Sequence, residues 1–103
     1  LLGNLLSLKP ILSLNEQGEV YPLDKVRGKK KAISRMLEYF QEYAGNEKVL
    51  CSVLYGTNRE EAVALAEKIS EQFVVDEIKL VVLGPVIGAH AGPEAIAVSM
   101  MKK

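Results

Sequence analysis

The chain is poor in the residues that build reactive or cross-linked sites. Its 103 residues include one cysteine, one histidine and no tryptophan. A single cysteine excludes an internal disulfide and a multi-cysteine zinc site, and a single histidine leaves no recognisable catalytic triad or metal set. No uninterrupted apolar run reaches the roughly 18 residues of a transmembrane helix. These absences favour a non-catalytic domain and, without a disulfide framework, a cytoplasmic location.

An excess charge of either sign is also missing. Thirteen basic and thirteen acidic residues cancel, so no overall field attracts nucleic acid or a membrane surface. With 49% hydrophobic residues and a mean hydropathy of +0.10, the chain is somewhat apolar for a small domain. This composition indicates apolar surface that is covered by a partner domain, another subunit or a ligand. The one cysteine, Cys51, lies in the apolar run "KVLCSVLYG" and is expected to be a core residue.

The length suits one globular domain. The opening "LLGNLLSLKP" is rich in leucine on one side of a helix that has no N-cap, and Pro10 disfavours its continuation. We therefore expect residues 1–8 to be the end of a helix that continues from a larger protein. Residues 9–103 are expected to form the domain.

The first half of this domain reads as a β-hairpin followed by a helix. "PILSLNEQGEVYPL" has apolar runs on either side of a turn at residues 15–18, and Pro22 places the second strand at an edge or a strand end. The spacing of apolar residues then predicts a helix from about Lys25 to Ala44. Gly45 suits the left-handed position that ends such a helix.

The second half reads as strand, helix, strand, glycine-rich loop and strand. The strands are "KVLCSVLYG", expected to be buried on nearly both faces, "EIKLVVLG" and "AIAVSMMK"; the helix is "TNREEAVALAEKISEQF", with Thr57 and Glu60 as a capping box. The order predicts a right-handed parallel crossover from Val49 to Leu83 and a last strand antiparallel to its predecessor. The fold class is therefore α+β: a two-layer domain with a mixed β-sheet and two main helices packed on one face.

Two stretches have the chemistry of an anion site. The cluster "KVRGKKKAISR" suits an anionic group or an acidic protein patch, and equally a solvated helix face. Gly28 inside a helix start is unfavourable by up to about 1 kcal/mol relative to alanine, which suggests a close approach there. "GTNREEA" places backbone N–H groups at a helix N-terminus, but a capped end indicates ordinary helix initiation. The cations of the cluster are Lys25, Arg27, Lys29, Lys30, Lys31 and Arg35.

The stretch "GPVIGAHAGP", residues 84–93, is the most informative. It follows a strand that we expect to be central, at the end where open α/β sheets bind ligands. Three glycines allow the backbone to approach a ligand, two prolines restrict the loop, and the remaining residues apart from His90 are apolar. A lone loop histidine is often structural. A rigid apolar pocket with one hydrogen-bond donor nevertheless suits a ligand with a long apolar body and a small anionic head.

Three blocks, "KPIL", "KVRGKKKA" and "GPVIGAHAGP", resemble the C-terminal domain of the DegV family in their order and approximate spacing. This family comprises the fatty-acid-binding subunits of bacterial fatty acid kinase. The resemblance implies that residues 9–103 are a DegV-like C-terminal domain and that residues 1–8 connect it to a missing N-terminal domain. It implies a cytoplasmic carrier that holds a long-chain fatty acid between the domains. A dihydroxyacetone-kinase-like partner then phosphorylates the carboxylate to an acyl phosphate.

The resemblance also implies the site residues. His90 matches the family's loop histidine and would hydrogen-bond the carboxylate or the acyl phosphate, and Arg27 matches the arginine of the "VRG" block and would meet the phosphate or the kinase. The loop departs from the family's usual "HTGPG" at Ala91 and Glu94. No catalytic residue, metal ligand or cofactor other than the bound fatty acid is implied. The further ligand contacts expected are Ile87, Gly88, Ala89, Ala91 and Gly92.

The alternative from another class is an interaction or dimerisation module. Such a module would dock its apolar face on a partner domain or a second copy without holding a lipid. An enzyme acting alone would need a catalytic set that the sequence does not contain.

Overall fold

The computed structural model describes residues 8–84 and 94–103. The chain divides into two compact units, Leu1–Glu42 and Tyr43–Lys103, and each is described by itself. Within the described residues the elements follow in the order β1 (Leu8–Leu14), β2 (Val20–Arg27), α1 (Lys29–Ala44), β3 (Val49–Tyr55), α2 (Arg59–Gln72), β4 (Val75–Val82) and β5 (Ile96–Lys102). The predicted α+β class is confirmed. The strands form two sheets, the hairpin β1–β2 and a mixed three-stranded sheet.

The first unit begins with the predicted hairpin. β1 and β2 pair antiparallel along their whole lengths, with a register shift between Ile11 and Leu12. The side chain of Asn15 accepts two backbone N–H groups of the turn at 3.0 and 2.9 Å, and Gly18 takes a φ of 81°. Because the described sheet has two strands, both are edge strands, and β2 tolerates Pro22 as predicted.

Two boundaries in this unit differ from the prediction. Leu8, which we assigned to the connecting helix, is the first residue of β1, and residues 1–7 lie outside the described part of the chain. β2 continues through Arg27, so α1 begins at Lys29 and not near Lys25. The reason is tertiary, because the last residues of β2 complete a ladder with β1 that a local pattern does not reveal.

Gly28 links β2 to α1 and lies outside the helix. Its φ is +87°, in the left-handed region that residues with a Cβ rarely adopt. A Cβ at this position would meet no atom within 4 Å. The glycine is therefore required by the backbone turn, and the predicted position inside a helix start is wrong.

We expect Gly28→Ala to destabilise the protein by roughly 1–2 kcal/mol, because alanine is strained at this positive φ. Urea unfolding measures the difference. Gly84→Ala is the matched control, since Gly84 has no positive φ and no atom within 4 Å of its Cβ position, and its effect should be small. Inside a helix the same change at Gly28 would stabilise by up to about 1 kcal/mol, so a stabilised variant contradicts the account.

In the second unit β3 is the central strand. β4 pairs with it in parallel on one side, and β5 pairs with it antiparallel on the other. The parallel pairing of β3 with β4, the strands before and after α2, is as predicted. β5 runs opposite to β4, also as predicted, but its hydrogen bonds go to β3. β4, which we expected to be central, is therefore an edge strand of the described sheet.

The core of this unit lies between α2 and the sheet. α2 packs against β3 and β4, and alternate residues of β3 are buried, including Cys51 as predicted. The other face of β3, with Leu50, Ser52 and Leu54, is only half-buried, so the expected burial on both faces is wrong for the described chain. The inner stripe of α2 is buried at Ala62, Leu65, Ile69 and, just beyond the helix, Phe73, whereas Ala66 is half-buried.

The N-cap of α2 is Asn58 and not the predicted Thr57. Asn58 Oδ1 accepts the backbone N–H of Glu61 at 3.0 Å. The pair Asn58–Glu61 has the same spacing as the predicted capping pair, one residue later, and asparagine caps helices at least as well as threonine. Gly45 ends α1 with a φ of 55°, as predicted.

Candidate functional site

The two ends of the glycine-rich loop meet at the carboxyl end of β3. After β4, the N–H of Leu83 donates to the carbonyl oxygen of Tyr55 at 2.7 Å. Before β5, the carbonyl oxygen of Ala95 accepts the N–H of Gly56 at 3.2 Å. The loop therefore leaves and rejoins the sheet next to one short segment, residues 55–56. This edge is where the parallel strands β3 and β4 both end, which is the usual position of ligand sites in such sheets.

The sheet beside these anchors is apolar on the face opposite α2. The last row of that face contains Leu54, with Val81 on one side and Ala97 on the other. Val81 is 39% exposed, so part of this apolar row is open to solvent. The next row towards the amino end of β3 is polar, with Ser52, Lys79 and Ser99 in register. The row at the loop anchors is thus apolar throughout, whereas the far row, Leu50 with Glu77 and Met101, is mixed.

The start of α2 lies at the same edge but is poorly suited to an anion. Its first turn contains Glu60 and Glu61, and the side chain of Asn58 occupies one of the free N–H groups. Carboxylates in the first turn already interact favourably with the positive end of the helix dipole. The geometry agrees with ordinary helix initiation, the interpretation that the sequence favoured for "GTNREEA".

The predicted ligand contacts of the loop, including His90, lie outside the described residues. They are Ile87, Gly88, Ala89, His90, Ala91 and Gly92. Their contacts stay predictions. The anchors at both ends and the apolar row beside them are what the structure adds.

Arg27, the second predicted site residue, is the last residue of β2. It is exposed, and it pairs with Leu8 in the hairpin ladder. It belongs to the first unit, whereas the loop anchors belong to the second. The predicted basic cluster is not one helix face, because Lys25 and Arg27 are on the strand and the other cations are on α1.

One cation of the cluster, Arg35, has a structural role that the sequence did not reveal. Its guanidinium Nη1 lies 2.7 Å from Asp24 Oδ2, and the hydroxyl of Tyr39 donates to the same oxygen at 3.1 Å. The N–H of Lys25, together with Tyr39 and Arg35, holds the pKa of Asp24 below its usual value, and the hydrogen bond to Asp24 raises the pKa of Tyr39. These bonds fix α1 against β2. No sequence pattern predicts these hydrogen bonds, since Asp24 and Arg35 come together only when the hairpin packs on the helix.

A shallow groove of about 290 Å³ lies beside this network. Its lining is largely polar: Val26, Lys30, Lys31, Ser34, Arg35 and Glu38. It is therefore unlike the apolar pocket that a long hydrocarbon chain requires.

The described part of the chain contains no reactive thiol, metal-ligand cluster or membrane-spanning helix. Cys51 is buried, and desolvation raises the pKa of its thiol, which makes it unreactive. Residues 8–84 and 94–103 contain no group of three or more potential metal ligands. Neither described helix has the length and apolar character needed to cross a bilayer.

Comparison with known proteins identifies relatives along the whole chain. The model of the DegV family matches residues 1–103. A DegV domain-containing protein of Halalkalibacterium halodurans is 40% identical over 98 residues, which cover 94% of this chain and 34% of that protein.

Solved structures show the same similarity. A DegV lipid-binding protein from Thermotoga maritima superposes with a TM-score of 0.84 at 30% identity, covering 97% of this chain and 36% of that one. A fatty-acid-binding DegV family protein from Thermus thermophilus gives a TM-score of 0.83 at 33% identity, covering 99% of this chain and 37% of that one. The chain spans about a third of the length of the relatives that it matches.

Proposed function

The chain belongs to the DegV family, and on that basis we propose that it forms the C-terminal part of a fatty-acid-binding site. The main support is that Leu83 and Ala95, which flank the glycine-rich stretch, are bonded to residues 55–56 beside the apolar row Leu54, Val81 and Ala97. A fatty acid needs apolar surface for its tail and a hydrogen-bond donor for its head, and this edge of the sheet supplies the first next to the loop that contains the second.

We propose that His90 supplies the donor. The proteins of Thermotoga maritima and Thermus thermophilus named above bind lipid and fatty acid, respectively. At about 30% identity, the same ligand class is the simplest expectation for this chain.

The remaining parts of the proposal concern the protein beyond these 103 residues. An N-terminal domain would provide the other half of the site, which agrees with the greater length of the relatives. A cytoplasmic dihydroxyacetone-kinase-like partner would transfer the γ-phosphoryl group of ATP to the fatty acid carboxylate, giving acyl phosphate and ADP. Arg27, exposed at the end of β2, would contact that partner or the phosphate. The chain itself would bind and present the ligand without catalysing the transfer.

The test is whether binding depends on the carboxylate head. In the protein that includes the N-terminal domain, we expect a long-chain fatty acid to bind about tenfold or more tightly than its methyl ester, because the ester keeps the tail and loses the charge-assisted hydrogen bond. Titration calorimetry with the two ligands measures the ratio. Equal affinities would mean that no head-group site exists, and absence of binding by both would exclude the function.

A further inference from the structure

The hairpin β1–β2 has one face that is covered in part, where Tyr21 is still 39% exposed, and one open face. The covered face contains Ile11, which is 7% exposed, and Asp24, whose carboxylate bonds to Arg35 and Tyr39 of α1. Side chains on paired strands alternate between faces, so the ladder assigns every second row, beginning one row from Ile11 and Asp24, to the open face. In register from base to tip, these rows are Pro10 with Lys25, Leu12 with Pro22, and Leu14 with Val20, and Arg27 lies on the same face two residues from Lys25 on β2.

The open face is apolar in its distal half. Leu12 is 58% exposed, and Leu14 and Val20 are each 63% exposed, which is unusual for three neighbouring aliphatic side chains. Pro22 is exposed beside them. Grouped apolar exposure of this kind marks a contact surface more often than scattered single residues do.

The two ends of this face have opposite charge. The base has Lys25 and Arg27, which are exposed and, among the described residues, in no ion pair. The turn at the tip has Glu16, which is also exposed, whereas Glu19 alternates to the other face and its carboxylate accepts the side-chain N–H of Asn15 at 3.2 Å. The face thus runs from positive to apolar to negative along the hairpin. Such a surface is complementary to itself after a rotation of 180°.

We propose that the open face of the hairpin binds the same face of a second copy of the chain. A two-fold axis between the row of Leu12 and Pro22 and the row of Leu14 and Val20 places the apolar halves in contact and the base of each copy over the tip of the other. The cations at each base then meet the Glu16 carboxylate at the opposite tip, and the interface is isologous. This inference is independent of fatty acid binding.

The charge pattern favours a second copy over an anionic bilayer. A bilayer surface has one sign of charge, and it would repel Glu16 next to the residues that have to insert. A second copy satisfies both ends at once. The face is small, because a strand of seven residues is about 20 Å long, so the interface is below the roughly 800 Å² per partner of a standard complex. We therefore expect a weak dimer that forms at high protein concentration.

Charge reversal tests the arrangement. Sedimentation equilibrium of the 103-residue chain up to millimolar concentration should show a monomer–dimer equilibrium. Lys25→Glu and Glu16→Lys should each weaken dimerisation by about tenfold, since every dimer contains the changed contact twice. In the double variant, with both charges exchanged, the dissociation constant of the dimer should return to within about twofold of that of the parent. Circular dichroism checks that the exposed substitutions leave the fold intact.

Three outcomes overturn the proposal. A chain that stays monomeric throughout leaves the face for some other partner. If the single reversals leave the dissociation constant of the dimer unchanged, the dimer forms through another surface. Single reversals that weaken the dimer without recovery in the double variant show that the two charges do not meet across the interface.

Discussion

Replacing His90 by alanine is expected to weaken fatty acid binding by about tenfold or more. In the proposed site the carboxylate would lie at the entrance of an apolar pocket, and burying it without a hydrogen-bond partner is unfavourable. A hydrogen bond to a charged group contributes roughly 1.5–3 kcal/mol, and each 1.4 kcal/mol corresponds to a factor of ten in the dissociation constant. Titration of the protein that includes the N-terminal domain gives both constants.

His90→Gln is the matched control, because glutamine retains an N–H donor of similar reach. We expect it to bind more tightly than the alanine variant. If His90 mainly serves the acyl phosphate, His90→Ala instead slows phosphoryl transfer on loaded protein. Unchanged binding together with unchanged transfer would leave His90 with a structural role alone.

Replacing Arg27 by alanine should leave fatty acid loading intact and slow acyl phosphate formation by about tenfold. Arg27 is an exposed cation at the end of β2, and its loss would remove the proposed contact to the kinase or the phosphate without altering the apolar row beside the loop anchors. Loading is measured by native mass spectrometry, and acyl phosphate is trapped with hydroxylamine and quantified.

Lys9→Ala is the control for a general loss of charge, since Lys9 is exposed on the neighbouring strand of the same hairpin. Acyl phosphate should form on this variant at the rate of the parent protein. Arg27→Lys should recover part of the rate, because it restores the charge without the planar fork of the guanidinium. Reduced loading with normal turnover of loaded protein would place Arg27 in the lipid pocket and contradict its proposed role.

Local patterns predicted the elements of the fold because the relevant signals are local. Asn15 and Gly18 define the hairpin turn, Gly45 ends α1, and the buried stripe of α2 follows from helical periodicity. The N-cap was misplaced by one residue because Thr57 and Asn58 both suit the position, and the hydrogen bond to Glu61 decides between them only in three dimensions.

Pairing between distant segments was not predictable in the same way. The extension of β2 to Arg27 depends on its ladder with β1, and the place of β4 at the sheet edge depends on β5 returning to the far side of β3. The same limit applies to the site. The composition of the loop indicated a ligand, but the convergence of its ends on residues 55–56 follows from sheet order, and the pairing of Asp24 with Arg35 follows from tertiary packing.

The most direct test of the proposed lipid binding is the mass of the native protein. The protein that includes the N-terminal domain is purified from a bacterial host and analysed by native mass spectrometry. It should retain an additional mass equal to one long-chain fatty acid. Denaturation should release that mass, and His90→Ala should lower the loaded fraction relative to His90→Gln. A native mass equal to that of the polypeptide alone, unchanged after incubation with a fatty acid, would contradict the account.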